Sequence, residues 1–225
     1  MKRLRPFFSY YGSKWCLSIK YPSPGHDHII EPFAGSACYS LLHYNKQITL
    51  FDKYDKICLL WQYLISVSES EILKLPLLEA FQPIPSNICT EAKILIGFWC
   101  QTATTYPARR QSCNPVGRCN VWGEAVKKRI ASQLQYIRHW KIFKSDYQSI
   151  QNQEATWFID PPYQNGGHKY KHSKIDYQNL SDWCDSREGE IIICENKPAS
   201  WHEFKPIGIN QGQKKRKIEL FYHRT

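Results

Sequence analysis

Two short runs, Thr156-Trp157-Phe158-Ile159 and Glu190-Ile191-Ile192-Ile193-Cys194, constrain the fold more than any other feature of the chain. Both are nearly continuous in apolar residues, the signature of strands buried on both faces rather than wetted on one. His28-Ile29-Ile30-Glu31 and Gln47-Ile48-Thr49-Leu50-Phe51-Asp52 read as two more short strands, each ending in an acid. Helical stretches from Cys38 to Tyr44 and from Lys56 to Ser66 follow them, and a helix from Gly123 to His139 precedes a strand over Trp140–Phe143. Buried strands alternating with helices predict an α/β sandwich around a mostly parallel sheet, with ligands beyond the carboxyl ends of the strands.

The rhythm breaks over residues 68–122, where Pro76, Pro83, Pro85, Pro107 and Pro115 punctuate one expected helix, Thr90 to Ala103. The expected division is therefore a core of residues 1–67 and 123–225 carrying a small, mostly helical insert at 68–122. With 225 residues, 42% of them hydrophobic, the chain has enough apolar surface for one core of ordinary size. A formal charge of +10 favours a polyanionic partner, nucleic acid foremost, through phosphate contacts. Nine cysteines without a CxxC pair point to reduced thiols and a cytoplasmic setting, and Cys100, Cys113 and Cys119 match no common zinc spacing, so no metal is expected. No run approaches the roughly 20 apolar residues needed to cross a bilayer, so no membrane partner is expected.

The sharpest motif is Asp160-Pro161-Pro162-Tyr163 at the end of a buried strand. An exocyclic amine on a nucleobase is a poor nucleophile because its lone pair is delocalised into the ring. A catalyst should therefore accept hydrogen bonds from that amine. Asp160 offers one acceptor, the proline-rigidified Pro161 carbonyl a second, and Tyr163 a face on which an extruded base can stack. The strand and tetrapeptide resemble the catalytic motif of amino-group DNA methyltransferases, the Dam-like adenine family in particular.

The other motifs fall in that family's order and cover most of the chain outside the insert. Glu31, Pro32, Phe33, Ala34, Gly35, Ser36 and Ala37 resemble its cofactor-binding turn, with Ala37 where a second glycine is usual. The resemblance implies a Rossmann-like methyltransferase sandwich that binds S-adenosylmethionine. In it Asp52 accepts from the ribose hydroxyls, Asp146, with Tyr147 beside it, meets the cofactor adenine amine, and Asp160 borders cofactor and substrate alike. Tyr10, Tyr11, Gly12 and Lys14, within Phe8–Trp15, would cover the methionine end, with Lys14 as the cation for its carboxylate. Glu195 falls at a polar strand end near the target base and is less typical there, so its role is left open.

The expected activity is direct, metal-free methyl transfer to the 6-amino group of adenine in DNA by a cytoplasmic, monomeric enzyme. Such chemistry requires the base to leave the helix. Between 105 and 129 lie Tyr106, Arg109, Arg110, Arg118, Trp122, Lys127, Lys128 and Arg129, basic residues interleaved with aromatics. Arg109, Arg110, Arg118 and Lys127 are the DNA contacts expected there, joined by Lys169 and Lys171 in a loop after the catalytic turn and by Lys215 and Arg216 in Lys214–Lys217. The rival substrates are adenine in RNA and the 4-amino group of cytosine. A non-catalytic nucleic-acid-binding protein would have no use for the intact tetrapeptide, and a dehydrogenase would want a GxGxxG turn, which is absent.

Overall fold

The computed structural model describes residues 3–113, 120–211 and 216–225, with side chains for all of these except 209–211, 216 and 217. Strands β1 (His28–Glu31), β2 (Gln47–Asp52), β3 (Lys141–Lys144), β4 (Ala155–Ile159) and β5 (Gly189–Asn196) are parallel, and β6 (Lys205–Gln211) and β7 (Arg216–Arg224) complete the sheet. Its order is β3-β2-β1-β4-β5-β7-β6, with β7 antiparallel to both neighbours. The fold is thus the predicted Rossmann-like α/β sandwich, and the strand order reverses between β1 and β4, where Ile29 pairs with Thr156 and Ile30 with Trp157. Such a reversal opens a crevice beyond the carboxyl ends of the two strands.

Period-two alternation sends every second residue of the central strands to an opposite layer, and both layers are dry. Ile29, Phe158, Ile192 and Cys194 join a large core under helices α2 (Asp55–Ser66), α4 (Thr90–Cys100) and α5 (Glu124–Gln133). Ile30, Trp157, Ile159, Ile191 and Ile193 join a second core closed by Leu180, Trp183 and Cys184 of α6 (Tyr177–Asp185). Leu180, Trp183 and Cys184 stand at i, i+3 and i+4, and the Asp176 side chain caps α6 by accepting from Asn179 N at 3.1 Å. This helix answers a helical spacing that the sequence reading passed over.

The expected helices shorten at their ends for local reasons. α1 covers Cys38–Leu42, α4 stops at Cys100 because Gln101 is extended, and α5 stops at Gln133, where Leu134–Ile137 tighten into a 3-10 turn. Residues 68–122 contain α4 and also α3 (Glu69–Lys74), which starts from a reciprocal capping box between Ser68 and Glu71. Buried Ile72, Leu75, Leu78 and Leu95 of this stretch belong to the large core. Two of its arms also pair, Ile84 N donating to Arg109 O at 3.0 Å and Gln111 N to Gln82 O at 2.9 Å. No described helix is long and apolar enough to cross a membrane.

Gly189, which opens β5, has φ +85°, and a Cβ there would lie 2.4 Å from the Ala155 carbonyl oxygen of the neighbouring strand. Gly189→Ala should therefore lower unfolding stability by about 2–4 kcal/mol, combining a disfavoured φ with a backbone clash, as read by urea or thermal denaturation.

Candidate functional site

The crevice at the strand reversal is a cleft open to solvent, about 930 Å³ with that open space included. Its walls come from Tyr10–Lys14, Glu31–Cys38, Asp52–Tyr54, Ser145–Tyr147, Asp160 and the loop 170–175. Every residue expected at a cofactor site, Tyr10, Tyr11, Gly12, Lys14, Glu31, Pro32, Phe33, Ala34, Gly35, Ser36, Ala37, Asp52, Asp146, Tyr147 and Asp160, lines this one cleft.

The turn after β1 is held from three sides. Asp52 at the end of β2 accepts from Gly35 N at 3.0 Å and from Tyr54 N at 2.8 Å. Ala34 N donates to Phe51 O at 2.9 Å, and the Trp61 indole of α2 donates to the Gly35 carbonyl at 2.9 Å. Gly35 (φ +44°) and Ala37 (φ +47°) both take left-handed backbone. Ala37 thus sits, at a cost of about 1–2 kcal/mol, in the conformation for which the family's glycine would be the unstrained choice. A Cβ on Gly35 would come within 3.3 Å of the Tyr10 ring.

Acids dominate the cleft's interior. Burial pushes the Asp52 carboxyl up to about 6 against the pull of its backbone donors. Glu31, 2% exposed, accepts from Ser40 N at 2.9 Å, yet burial raises its carboxyl to about 8. Burial likewise raises Asp160, with the Lys14 ammonium pulling the other way. Asp146 caps the 3-10 turn that begins at Tyr147 and pairs with Lys53 at 2.5 Å, so only part of its acceptor capacity faces a ligand.

Lys14 departs from its expected role. Its ammonium, 4% exposed, lies 2.9 Å and 3.0 Å from the two Asp160 oxygens, 3.0 Å from the Gly12 carbonyl and 3.6 Å from Glu219. All three of its protons already have acceptors, so it is not a free cation waiting for a ligand carboxylate. Burial disfavours the ammonium, but Asp160 and Glu219 outweigh that and hold its pKa well above the ordinary lysine value. Pro161 and Tyr163 are not on the cleft wall. Tyr163 lies on the far side of Lys14, whose Nζ is 4.6 Å above its ring, and its hydroxyl donates to Glu219. The Pro162 carbonyl accepts from the Tyr177 hydroxyl at 2.8 Å, whereas no described donor reaches the Pro161 carbonyl.

Other residues hold the site that no motif announced. Glu195, fully buried at the end of β5, accepts from Gln164 N at 3.0 Å and the Trp201 indole at 2.8 Å, tying down the segment that follows Tyr163. Its open role is therefore a positioning one. Tyr170 donates to the Tyr11 carbonyl at 3.1 Å, and Thr105 donates to Lys169 O at 2.8 Å, bringing the loop after the tetrapeptide against both the N-terminal segment and the 68–122 stretch.

Of the expected DNA contacts, Arg109, Arg110, Lys169 and Lys171 are exposed. Lys169 Nζ stands 4.7 Å above the Tyr11 ring and Lys171 Nζ 5.8 Å from that of Tyr54, both at the cleft mouth. Lys127 is a correction: only 4% of it is exposed and it pairs with Glu124 at 3.4 Å, because the inner face of α5 carries it under the fold rather than outward. Trp122 is wholly buried, its indole donating to Pro76 O at 2.8 Å, and offers no stacking face. Arg118, Lys215 and Cys119 lie outside the described residues, as does the Arg216 side chain at the start of β7. Among the described residues no cluster of His, Cys, Asp and Glu could hold a metal ion.

No family model matches the chain, and no curated protein does. Among solved structures it is similar to Escherichia coli yhhF, provisionally described as a methyltransferase, at 9% identity and a TM-score of 0.36 over 86% of this chain and 73% of that one. A superposition so loose carries no functional weight beside the geometry of the cleft itself.

Because its folded-state carboxyl sits near pH 8, Glu31 stays protonated in the folded protein after the unfolded chain has ionised. It therefore withdraws stability as pH climbs from the ordinary glutamate range through about 8. Glu31→Gln should melt higher than the parent at pH 9, with the gap closing toward pH 5, as thermal unfolding across that range will show.

Proposed function

We propose that the chain is an S-adenosylmethionine-dependent methyltransferase acting on the 6-amino group of adenine in DNA. The observation that carries this reading is the placement of Asp160. It leaves the central β4 on the wall of the cleft built by Glu31–Ala37 and Asp52, and the adjacent Pro161 carbonyl has no described protein donor.

The chemistry of the cleft fits the cofactor. S-adenosylmethionine bears a sulfonium and an ammonium, and when bound it supplies an electrophilic methyl group. Asp52 gives the interior a carboxylate suited to such a cation, while Glu31 is held largely neutral and Asp160 is paired with Lys14. Asp52 accepts from the Gly35, Tyr54 and Lys53 amides and keeps acceptor capacity for a ribose hydroxyl. The left-handed turn at Gly35 lets backbone come close to a ligand. A cofactor carboxylate would share or displace the partners that Lys14 holds here.

On the substrate side, Asp160 keeps acceptor capacity beyond what the Lys14 ammonium and the Tyr163 hydroxyl use, and the Pro161 carbonyl has no described protein donor. Together they accept from the two protons of an exocyclic amine and draw its lone pair out of conjugation. Lys14 favours the ionised form of Asp160 against the burial that raises its pKa. The face of the Tyr163 ring turned from Lys14 would stack the base, Lys169 and Lys171 stand at the mouth, and Arg109 and Arg110 are exposed on the 68–122 stretch with charges suited to phosphate.

Labelled cofactor should methylate duplex DNA and yield N6-methyl-2′-deoxyadenosine on digestion; label confined to RNA or to cytosine nucleosides would overturn the substrate assignment. Asp160→Asn should lower turnover about 10²–10³-fold, the scale of losing one transition-state hydrogen bond, with cofactor affinity within a few fold by calorimetry. Alanine at both Arg109 and Arg110 should weaken DNA binding alike across sequences and cut the slope of log affinity against log salt by about 2, as fluorescence anisotropy titrations will test.

A further inference from the structure

Glu219 belongs to no recognised motif, yet it is the carboxylate most closely joined to the proposed catalytic group. It lies in β7 opposite Asn196 of β5, and its side chain is 1% exposed. The Tyr163 hydroxyl donates to it, Tyr21 Oη stands 3.4 Å away, and Lys14 Nζ is 3.6 Å away. A buried carboxylate must be paired and hydrogen-bonded to persist, and here every partner belongs to the site or touches it. Lys14 bridges two carboxylates, Asp160 on the cleft side and Glu219 behind, and lies over the ring whose hydroxyl Glu219 holds.

We propose that Glu219 is a positioning residue of the methyl-transfer site, fixing the plane of the Tyr163 ring through its hydroxyl and anchoring Lys14 behind Asp160. The inference rests on Asp160 and Tyr163 serving methyl transfer, but the linkage itself is a property of the free protein. Removing Glu219 frees the phenol end of the ring and leaves Lys14 with Asp160 as its one remaining carboxylate. The amine-accepting groups then lose their fixed relation to the stacking face, and small misplacements at a reacting centre have large effects on rate.

Glu219→Gln preserves shape and still accepts a hydrogen bond, Glu219→Asp preserves charge but draws it back by one methylene, and Tyr163→Phe removes the tethered hydroxyl while keeping the ring. In the full chain labelled at the tyrosine phenol carbon, the Tyr163 signal, identified by its loss in Tyr163→Phe, should shift in both Glu219 variants without any ligand present. In turnover, Glu219→Gln and Tyr163→Phe should each lower kcat about tenfold at nearly unchanged KM for the cofactor, and the double variant should be little worse than either, since coupled groups do not add. An unmoved phenol signal, or losses that simply multiply, would overturn the proposal. Wild-type protein that transfers no methyl group would instead defeat the functional reading, and the phenol signal would still decide whether Glu219 holds Tyr163.

Discussion

The ion pair between Lys14 and Asp160 joins the N-terminal segment to the carboxyl end of the central strand, and the site is arranged around it. Neither charge is stable alone in this position. With 4% and 22% of their side chains exposed, each would be driven toward neutrality by lost hydration, and breaking a pair of this kind typically costs about 3–5 kcal/mol because the survivor is stranded. The same ammonium binds the Gly12 carbonyl and so fixes the segment that places Tyr10 and Tyr11 against Tyr170. One electrostatic contact thereby sets the floor of the cleft and the position of its cover.

The opposite wall depends on backbone geometry rather than charge. Asp52, Phe51 and Trp61 each hold the turn between β1 and α1 by a different atom, and that redundancy lets Ala37 persist in a left-handed conformation. Strain of this sort survives only where the surroundings over-determine the backbone. A rigid turn facing a charge-locked segment makes a cleft whose shape is set before any ligand arrives, which reduces the ordering that binding must accomplish.

What could be read in the sequence was whatever local pattern dictates. The apolar runs placed β1, β2, β4 and β5, and Asp160 and Pro162 of the tetrapeptide, the small-residue turn and the two acids after strands line a single cleft because all lie at carboxyl ends of parallel strands. Contacts between distant segments left no such trace. Glu219 is an isolated acid in Ile218-Glu219-Leu220-Phe221, and only the pairing of β7 with β5 brings it beside Tyr163. β6, over Lys205–Gln211, contains Pro206 and Gly208, residues that argue against a strand until a neighbour supplies the pairing. Lys127 looked like one more cation in a basic stretch because a helix pattern gives periodicity and not the direction of burial. Lys14 was recognised as a cation of the site, but its partners come from positions 160 and 219, which no local reading connects.

The distribution of charge also separates the two ligands of the proposed function. Inside the cleft, among the described residues, Glu31 is held largely neutral, the Lys14 ammonium is paired with Asp160, and Asp52 is left as the unpaired carboxyl; at the mouth and on the paired arms of the 68–122 stretch the charges are lysines and arginines. A surface cation acts over about 8 Å at physiological salt, so a basic rim would attract a phosphate backbone without cancelling the Asp52 carboxylate behind it. A dianionic dinucleotide would meet the wrong sign at the point where it must go deepest. A small cation would be drawn inward, and a polyanion would be kept at the rim. Asp160, at the boundary between these two fields, is where the two ligands would meet.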